Sequence, residues 1–570
     1  MDPCPSCEYD GPAWSPDGGK LAFLAIDPAT LTATLEIAQQ GQVRLAATIK
    51  GLAATPRWSP DGTAIALLAT VGARKRTGAV EAGAPQVGEI GEVNDEQRIA
   101  VVPAAGGAAR LVSPADTFVY EYDWTPDGRG FVATAAKGNG DNNWWIARLV
   151  AVDLAGGPVR TIAAPKIQID YPRVSPDGKT VMFVGGLMSD FGPVGGDLYT
   201  APFAGGEAKD LTPGWKGTFT SLAWRTRRPL ATALVGGQTV LASVDPDTGR
   251  VATLWSAPVR LSGAAFNGEV VLDARAARGA AVREDFEHAP AIVAGPLAAM
   301  APITHDNDGL APQVAAREVT WKNGGFDLQG WLLAPRQAAS GREYPMITVV
   351  HGGPSSAAQP SYVSHGTVRD LVARGYFVFE PNPRGSYGEG EAFTRANIRD
   401  FGGGDFSDIL AGVDAAEKVA PIDDARLGIY GHSYGGFMTM WAVTHTHRFR
   451  AAVAGAGLAN WISYYGENGI DEWMLPFFGA SAYDDPAIYN AASPINFIRQ
   501  ARTPTFIYVG ERDLECPAPQ SMEFWRGLLA MRVPTSLVIY PGEGHALRRP
   551  EHVHDLRDRI VGWFDRYLGG

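Results

Sequence analysis

Apolar and polar positions alternate in two different styles along the chain. In the first half, short apolar runs follow one recurring turn. Leu21-Ala22-Phe23-Leu24, Ala64-Ile65-Ala66-Leu67 and Val181-Met182-Phe183-Val184 are too short for helices and read as strands. The turns before them are Trp14-Ser15-Pro16-Asp17-Gly18, Trp58-Ser59-Pro60-Asp61-Gly62 and Val174-Ser175-Pro176-Asp177-Gly178, with a fourth copy at Trp124-Thr125-Pro126-Asp127-Gly128. Proline presets φ in such a turn and glycine supplies a positive one. Ala223-Trp224-Arg225 and Ala265-Phe266-Asn267 are worn copies, so repeats begin near residues 12, 56, 122, 172, 222 and 262. Several short strands per repeat, as in Leu198-Tyr199-Thr200-Ala201, predict a β-propeller of six to seven blades. A seventh blade would be degenerate or completed by residues before Met1. An array of β-sandwiches fits the fixed turn less well. Residues 74–98 break the pattern and predict an extended loop within the second blade, and residues 289–312 predict a last strand and a linker.

From Glu318 onward the style changes. Glu318-Val319-Thr320-Trp321-Lys322 and Leu328-Gln329-Gly330-Trp331-Leu332-Leu333 predict a hairpin turning near Asn323-Gly324-Gly325. Apolar runs then alternate with helical stretches: a strand at 346–350, a helix near 367–374, a strand at 376–379, a helix near 406–419 and a strand at 427–430. Such alternation implies a doubly wound, mostly parallel sheet covered on both faces. Two domains are expected: a β-propeller over 1–312 and an α/β domain over 313–570.

The last of those strands runs into Gly431-His432-Ser433-Tyr434-Gly435-Gly436, and an unbroken stretch from Phe437 to Val443 predicts a helix behind it. Strand, tight glycine turn and helix give G-x-S-x-G its meaning, because the serine hydroxyl is pushed out of the sheet. Glycine is required where a side chain would strike a neighbouring element. Two further apolar strands lead to Asp513 and to His545. Ser433, Asp513, His545, each at the C-terminal end of a strand, is the α/β-hydrolase order of nucleophile, acid and base.

Composition adds boundaries. The chain has 570 residues, too many for one ordinary domain, and its 45% hydrophobic and 19% charged content is that of a globular protein. A net charge of −12 argues against nucleic acid or an anionic membrane as partner. No run of about 18 apolar residues predicts a membrane span. Met1-Asp2-Pro3-Cys4 lacks a basic, apolar leader, which points to the cytoplasm, or to the periplasm if a signal has been removed. Cys4-Pro5-Ser6-Cys7 has the spacing of a redox pair or half a zinc site, but no second Cys/His pair follows, and a small terminal loop or disulfide fits better. Cys516 reads as a small packing residue beside Asp513. His445/His447 and His552/His554, two apart on expected helices, do not face one another, so neither a metal nor another cofactor is expected.

Taken together, His351-Gly352-Gly353-Pro354, Asn382-Pro383-Arg384-Gly385-Ser386, Gly404-Asp405-Phe406-Ser407-Asp408, the serine turn, Asp513 followed by Pro517 and Gln520-Ser521, and Gly544-His545 resemble the prolyl oligopeptidase family of serine peptidases. Within it the chain is similar to the acylaminoacyl-peptidase and dipeptidyl-peptidase branch, and the resemblance covers both expected domains. It implies a peptidase acting on short peptides. Ser433 would attack, His545 would shuttle the proton, and Asp513 would orient the imidazole. The backbone N–H groups of Tyr434 and Gly353 would form the oxyanion hole. His351, Arg384 and Asp405 would be structural, the last two in one polar network, and His432 would be packing. Trp461 and Tyr464 would wall an apolar pocket before the scissile bond. Many such members carry an arginine two residues after the acid; here Glu515 stands there, which favours a free amino terminus over a blocked one. An esterase or amidase on small acyl compounds, and a non-catalytic propeller module, are the competing readings. An edge strand of either domain is open to homo-oligomer pairing.

Overall fold

The computed structural model describes residues 4, 6–84, 93–262, 268–273, 275–339 and 341–569. Residues 8–302 form five antiparallel sheets arranged like the blades of a propeller. Strands run in sequence order within the first four sheets, as a series of local hairpins; in the fifth, Arg260–Ser262 and Val271–Leu272 both pair with Arg278–Glu284. The first sheet has seven strands, and its middle strand, Gln42–Trp58, is 17 residues long. The repeat at Ala265-Phe266-Asn267 lies outside the described residues. The interruption expected over 74–98 ends earlier, because Gln97–Pro103 is a strand paired with Ala64–Val71.

The repeated turn is a small hydrogen-bonded device. Ser15 Oγ donates to Asp17 Oδ1 at 2.6 Å and accepts from the Lys20 N–H at 2.9 Å, while Asp17 Oδ1 accepts from the Gly19 N–H at 3.0 Å. Ser59 and Asp61, and Ser175 and Asp177, repeat this pattern. Gly18, Gly62, Gly128 and Gly178 all take φ near +70°, which only glycine adopts without cost. The tryptophan before the turn has a second task. Trp58 Nε1 donates to the Ala13 carbonyl at 2.9 Å, and Trp124 Nε1 donates to the Arg57 carbonyl at 3.0 Å. Each indole thus ties its own repeat to the preceding one. Trp14 begins the first repeat and is 62% exposed.

Residues from 314 onward build one eight-stranded sheet, with strands β1 (Val314–Asn323), β2 (Phe326–Pro335), β3 (Tyr344–Val350), β4 (Phe377–Asn382), β5 (Ile422–His432), β6 (Ala451–Gly455), β7 (Thr505–Gly510) and β8 (Thr535–Tyr540). Their spatial order is β1-β2-β4-β3-β5-β6-β7-β8. The β1–β2 hairpin closes through Gly324 and Gly325, both at positive φ, and every pairing from β4 to β8 is parallel. Helices α1 (Thr367–Ala373), α2 (Gly404–Val419), α3 (Tyr434–His445), α4 (Ala518–Ala530) and α5 (Pro550–Leu568) fill the crossovers and the C-terminus. This is the α/β-hydrolase sheet. One apolar cluster runs through both halves of the chain, joining Trp144, Met188 and Phe219 to Phe401, Tyr434 and Trp461.

The indole ties carry a stability expectation. Trp124→Phe removes the donor to the Arg57 carbonyl and should lower stability by about 1 to 3 kcal/mol. Trp14→Phe, at an exposed position, should change it by no more than about 0.5 kcal/mol. Urea unfolding of the two variants beside the parent checks the difference.

Candidate active site

β5 ends at His432 and α3 begins at Tyr434, leaving Ser433 at φ +62°. No room exists around this bend. A Cβ on Gly431 would stand 2.3 Å from the Gly435 carbonyl carbon, and one on Gly435 would stand 2.1 Å from the Val350 oxygen. The Ser433 N–H donates to the Gly455 carbonyl at 3.0 Å, and its carbonyl accepts from the Phe437 N–H at 2.9 Å, so the turn is fixed from both sides. The Tyr434 N–H is the first of α3 and has no acceptor within the helix. The His351–Pro354 loop lies against the serine: a Cβ on Gly352 would be 3.4 Å from Ser433 Cβ. Gly353 has φ +120° and precedes a cis proline.

Asp513 follows β7 and His545 follows β8. His545 Nδ1 lies 2.8 Å from Asp513 Oδ2, and Asp513 Oδ1 accepts from the N–H groups of Glu515 and Cys516 at 2.9 and 2.8 Å. That arrangement fixes both the carboxylate and the face it shows the imidazole. The other ring nitrogen, His545 Nε2, lies 3.2 Å from Glu515 Oε2. Ser433 has no hydrogen bond to His545; its hydroxyl faces the buried thiol of Cys516. His545, Asp513 and Glu515 are all buried. Burial on its own would lower the proton affinity of His545, but the Asp513 and Glu515 carboxylates outweigh it and raise the pKa to about 9. Burial raises the pKa of Glu515 against the opposing pull of His545.

His432 packs its ring 4.6 Å from that of His545 and places Nδ1 3.2 Å from the Tyr508 hydroxyl. Burial and the charge of His545 push its pKa down to about 3, so it stays neutral. A cavity of about 370 Å³ opens beside the pair, between His365, Leu547 and Leu556. His351 bonds its Nε2 to Ser386 Oγ at 2.9 Å and serves the loop. His447 lies beyond the end of α3. Cys4 and Cys7 are joined by a disulfide, and no group of three His, Cys, Asp or Glu among the described residues is placed to hold a metal. No described helix is long and apolar enough to cross a membrane.

Three expectations need correction. Trp461 and Tyr464 do not face an open pocket: they are 0% and 1% exposed, within an aromatic cluster with Phe401, Trp473 and Phe478. Arg384 and Asp405 do not pair. Arg384 forks onto Asp408, with Nε to Oδ2 and a terminal nitrogen to Oδ1, both at 2.7 Å. Asp405 instead accepts from the Tyr434 hydroxyl at 2.7 Å, anchoring the residue after Ser433.

The first half of the chain contributes residues that its pattern did not reveal. The Ala546 N–H donates to the Val80 carbonyl at 3.2 Å, the Gly83 N–H to the Arg512 carbonyl at 3.0 Å, and Glu81 pairs with Arg548. Ser189 Oγ accepts from the Ser355 N–H at 3.0 Å, next to the His351–Pro354 loop. The adjacent Asp190 is near enough for its charge to act on both His545 and Glu515.

Residues 363–570 match the model of the prolyl oligopeptidase family. That segment is a prolyl oligopeptidase family domain. It holds Ser433, Asp513 and His545. Among curated proteins, the chain is similar to an uncharacterized peptidase of Bacillus subtilis, 38% identical over 252 residues, 43% of this chain and 38% of that one. It is also similar to dipeptidyl-peptidase 5 of Porphyromonas gingivalis, 25% identical over 474 residues, 79% of this chain and 67% of that one. The chain therefore spans between about two fifths and two thirds of these relatives. A solved acylaminoacyl peptidase from Pyrococcus horikoshii superposes with a TM-score of 0.79 at 18% identity, covering 99% of this chain and 89% of that one. At that identity the likeness is one of fold.

Asp405 gives the site a pH signature. Burial raises its pKa from 3.8 to about 7, against the bond from Tyr434. The unfolded chain thus loses this proton near pH 4 and the folded one near pH 7, so the parent is destabilised as pH rises through that window. Asp405→Asn cannot titrate. Relative to that variant, the parent should lose stability between pH 4 and pH 7, which urea midpoints at the two pH values would report.

Proposed function

We propose that the protein is a serine peptidase that cleaves short peptides near a free amino terminus through an acyl-enzyme on Ser433. The carrying observation is the strained serine turn beside a buried imidazole fixed by Asp513. In this reading Ser433 Oγ attacks the scissile carbonyl and His545 Nε2 takes its proton. The tetrahedral oxyanion lies between the N–H groups of Tyr434 and Gly353, each such donor contributing about 3 kcal/mol to the rate. His545 then returns the proton to the leaving amine, and water repeats the cycle on the ester. Preference for a free amine is supported by Glu515 and Asp190, two carboxylates facing the imidazole, and by the dipeptidyl-peptidase relative.

The propeller, which we assign to residues 1–312, would limit access to small or unfolded substrates. We read its seven-stranded sheet as two blades sharing Gln42–Trp58, whose first part pairs with Thr32–Gln39 and whose last part pairs with Ala64–Val71, for six blades in all.

Free and N-acetylated peptide anilides, with a fluorophosphonate probe, test the reading. The parent should hydrolyse the free-amine series faster and label at Ser433. Ser433→Ala should lose both, with kcat down by about 10⁴-fold or more. Faster cleavage of acetylated peptides would overturn the amine preference. Ester turnover with no anilide turnover would favour the esterase reading, and no labelling would favour the non-catalytic one.

A further inference from the structure

The imidazole that must accept a proton from Ser433 already has a partner at the nitrogen concerned. Nδ1 is held by Asp513, and Nε2 lies 3.2 Å from Glu515 Oε2. Glu515 is 8% exposed, and among the described residues His545 is the partner its carboxylate meets. Its backbone cannot drift, because the Glu515 N–H is bonded to Asp513. Only its side chain is free to swing. Around the pair stand Asp513 and Cys516 from the same loop, Tyr464 from the aromatic cluster, His432 from the serine turn, and Asp190 and Asp141 from the first half of the chain. Three of these are carboxylates, and with burial they raise the pKa of Glu515 to about 8 against the pull of His545, so its charged form depends on a cation beside it. With the site empty of substrate, the cation at hand is the imidazolium of His545, which cannot act as a base.

We propose that Glu515 is a latch on the catalytic histidine, which holds Nε2 protonated at rest and lets go when the free α-ammonium of a peptide takes its carboxylate. The Nε2 proton then leaves to water, the ammonium replaces it as counter-ion of Glu515, and Nε2 is free for the Ser433 hydroxyl. This rests on the peptidase reading above and deepens it: a free amino terminus is selected by switching on the base as well as by being bound. N-blocked substrates meet an enzyme whose histidine is still latched. Loss of one adjacent carboxylate lowers a histidine pKa by about one unit or more, and one unit is tenfold in the basic form.

The fluorophosphonate probe has no amine, so its rate of reaction with Ser433 reads the state of the base directly. In the parent that rate should rise with pH through about 8 to 9, following His545. Glu515→Gln, equal in size and uncharged, should label about tenfold faster at pH 7, with its profile shifted to lower pH. On acetylated anilides its kcat should rise, and on free-amine anilides its KM should rise. Equal or slower labelling of Glu515→Gln, or a parent profile centred near pH 6.5, overturns the latch while leaving the peptidase reading intact. Labelling of neither protein, with the parent folded by circular dichroism, removes both. The parent's own pH profile decides the matter should the variant fail to fold.

Discussion

The site depends on backbone packed directly against backbone where β5 meets α3. Gly431 touches Gly435, Gly435 touches the Val350 carbonyl, and Gly436 touches the Gly455 carbonyl, each with no room for a methyl group. Three elements therefore fix one another without side chains between them. Ser433 is the residue left over at the bend. Its positive φ would be costly elsewhere, and here it is held by a hydrogen bond on each side. The same closeness aims the first N–H of α3 past the serine and lays the His351–Pro354 loop beside it. The serine bend, the helix N–H beside it and the neighbouring glycine loop are thus consequences of one packing constraint.

His545 and Asp513 are placed differently, by loops after β8 and β7. Asp513 is secured by its own turn, but the His545 loop is held from across the molecule. A Cβ on Gly544 would strike Ala82 at 2.4 Å, so the turn around Val80 lies directly on this loop, and Ala546 bonds to it. Ser189 similarly holds the loop after Pro354. The propeller therefore acts as a second wall of the active site, and the large apolar cluster shared by both halves keeps that wall in position.

What the sequence made legible follows from this division. The serine turn, the order of the triad and the repeated S-P-D-G turns are local: each is a spacing of residue types whose backbone demands are met within a few positions. The hairpin at Gly324-Gly325 and the boundaries of α1 and α2 were legible for the same reason. The contacts of residues 78–84 and of Ser189 were not, because they run through backbone groups, one hydroxyl and the Glu81–Arg548 pair across hundreds of positions, in stretches without periodicity. The residue pattern places Arg384 and Asp405 in one polar network but does not reveal that the guanidinium takes Asp408, three residues further on the same helix. Only the fork of the guanidinium, in three dimensions, chooses between the two carboxylates. Trp461 and Tyr464 were read as pocket walls from their place after β6. In the folded chain that place is the interior, where Trp461 packs at a tilt against Phe401 and Tyr464 edge-on against Trp473.

The electrostatics of the centre turn on number and distance. One carboxylate beside a catalytic imidazole orients it and stabilises its cation in the transition state, when that cation exists only briefly. A second, at the opposite nitrogen, stabilises the same cation in the ground state, where it is unproductive. Differential stabilisation is what raises a rate, so in the latch proposed above Glu515 at Nε2 would work against catalysis until its charge is met by something else. The neighbouring His432 cannot meet it, because burial keeps that ring neutral. Arg512 and Arg548 belong to segments tied by the first half of the chain, through the Arg512 carbonyl and the Arg548–Glu81 pair. Under the latch proposed above, the charge of Glu515 would be met from outside the chain, by the α-ammonium of a peptide.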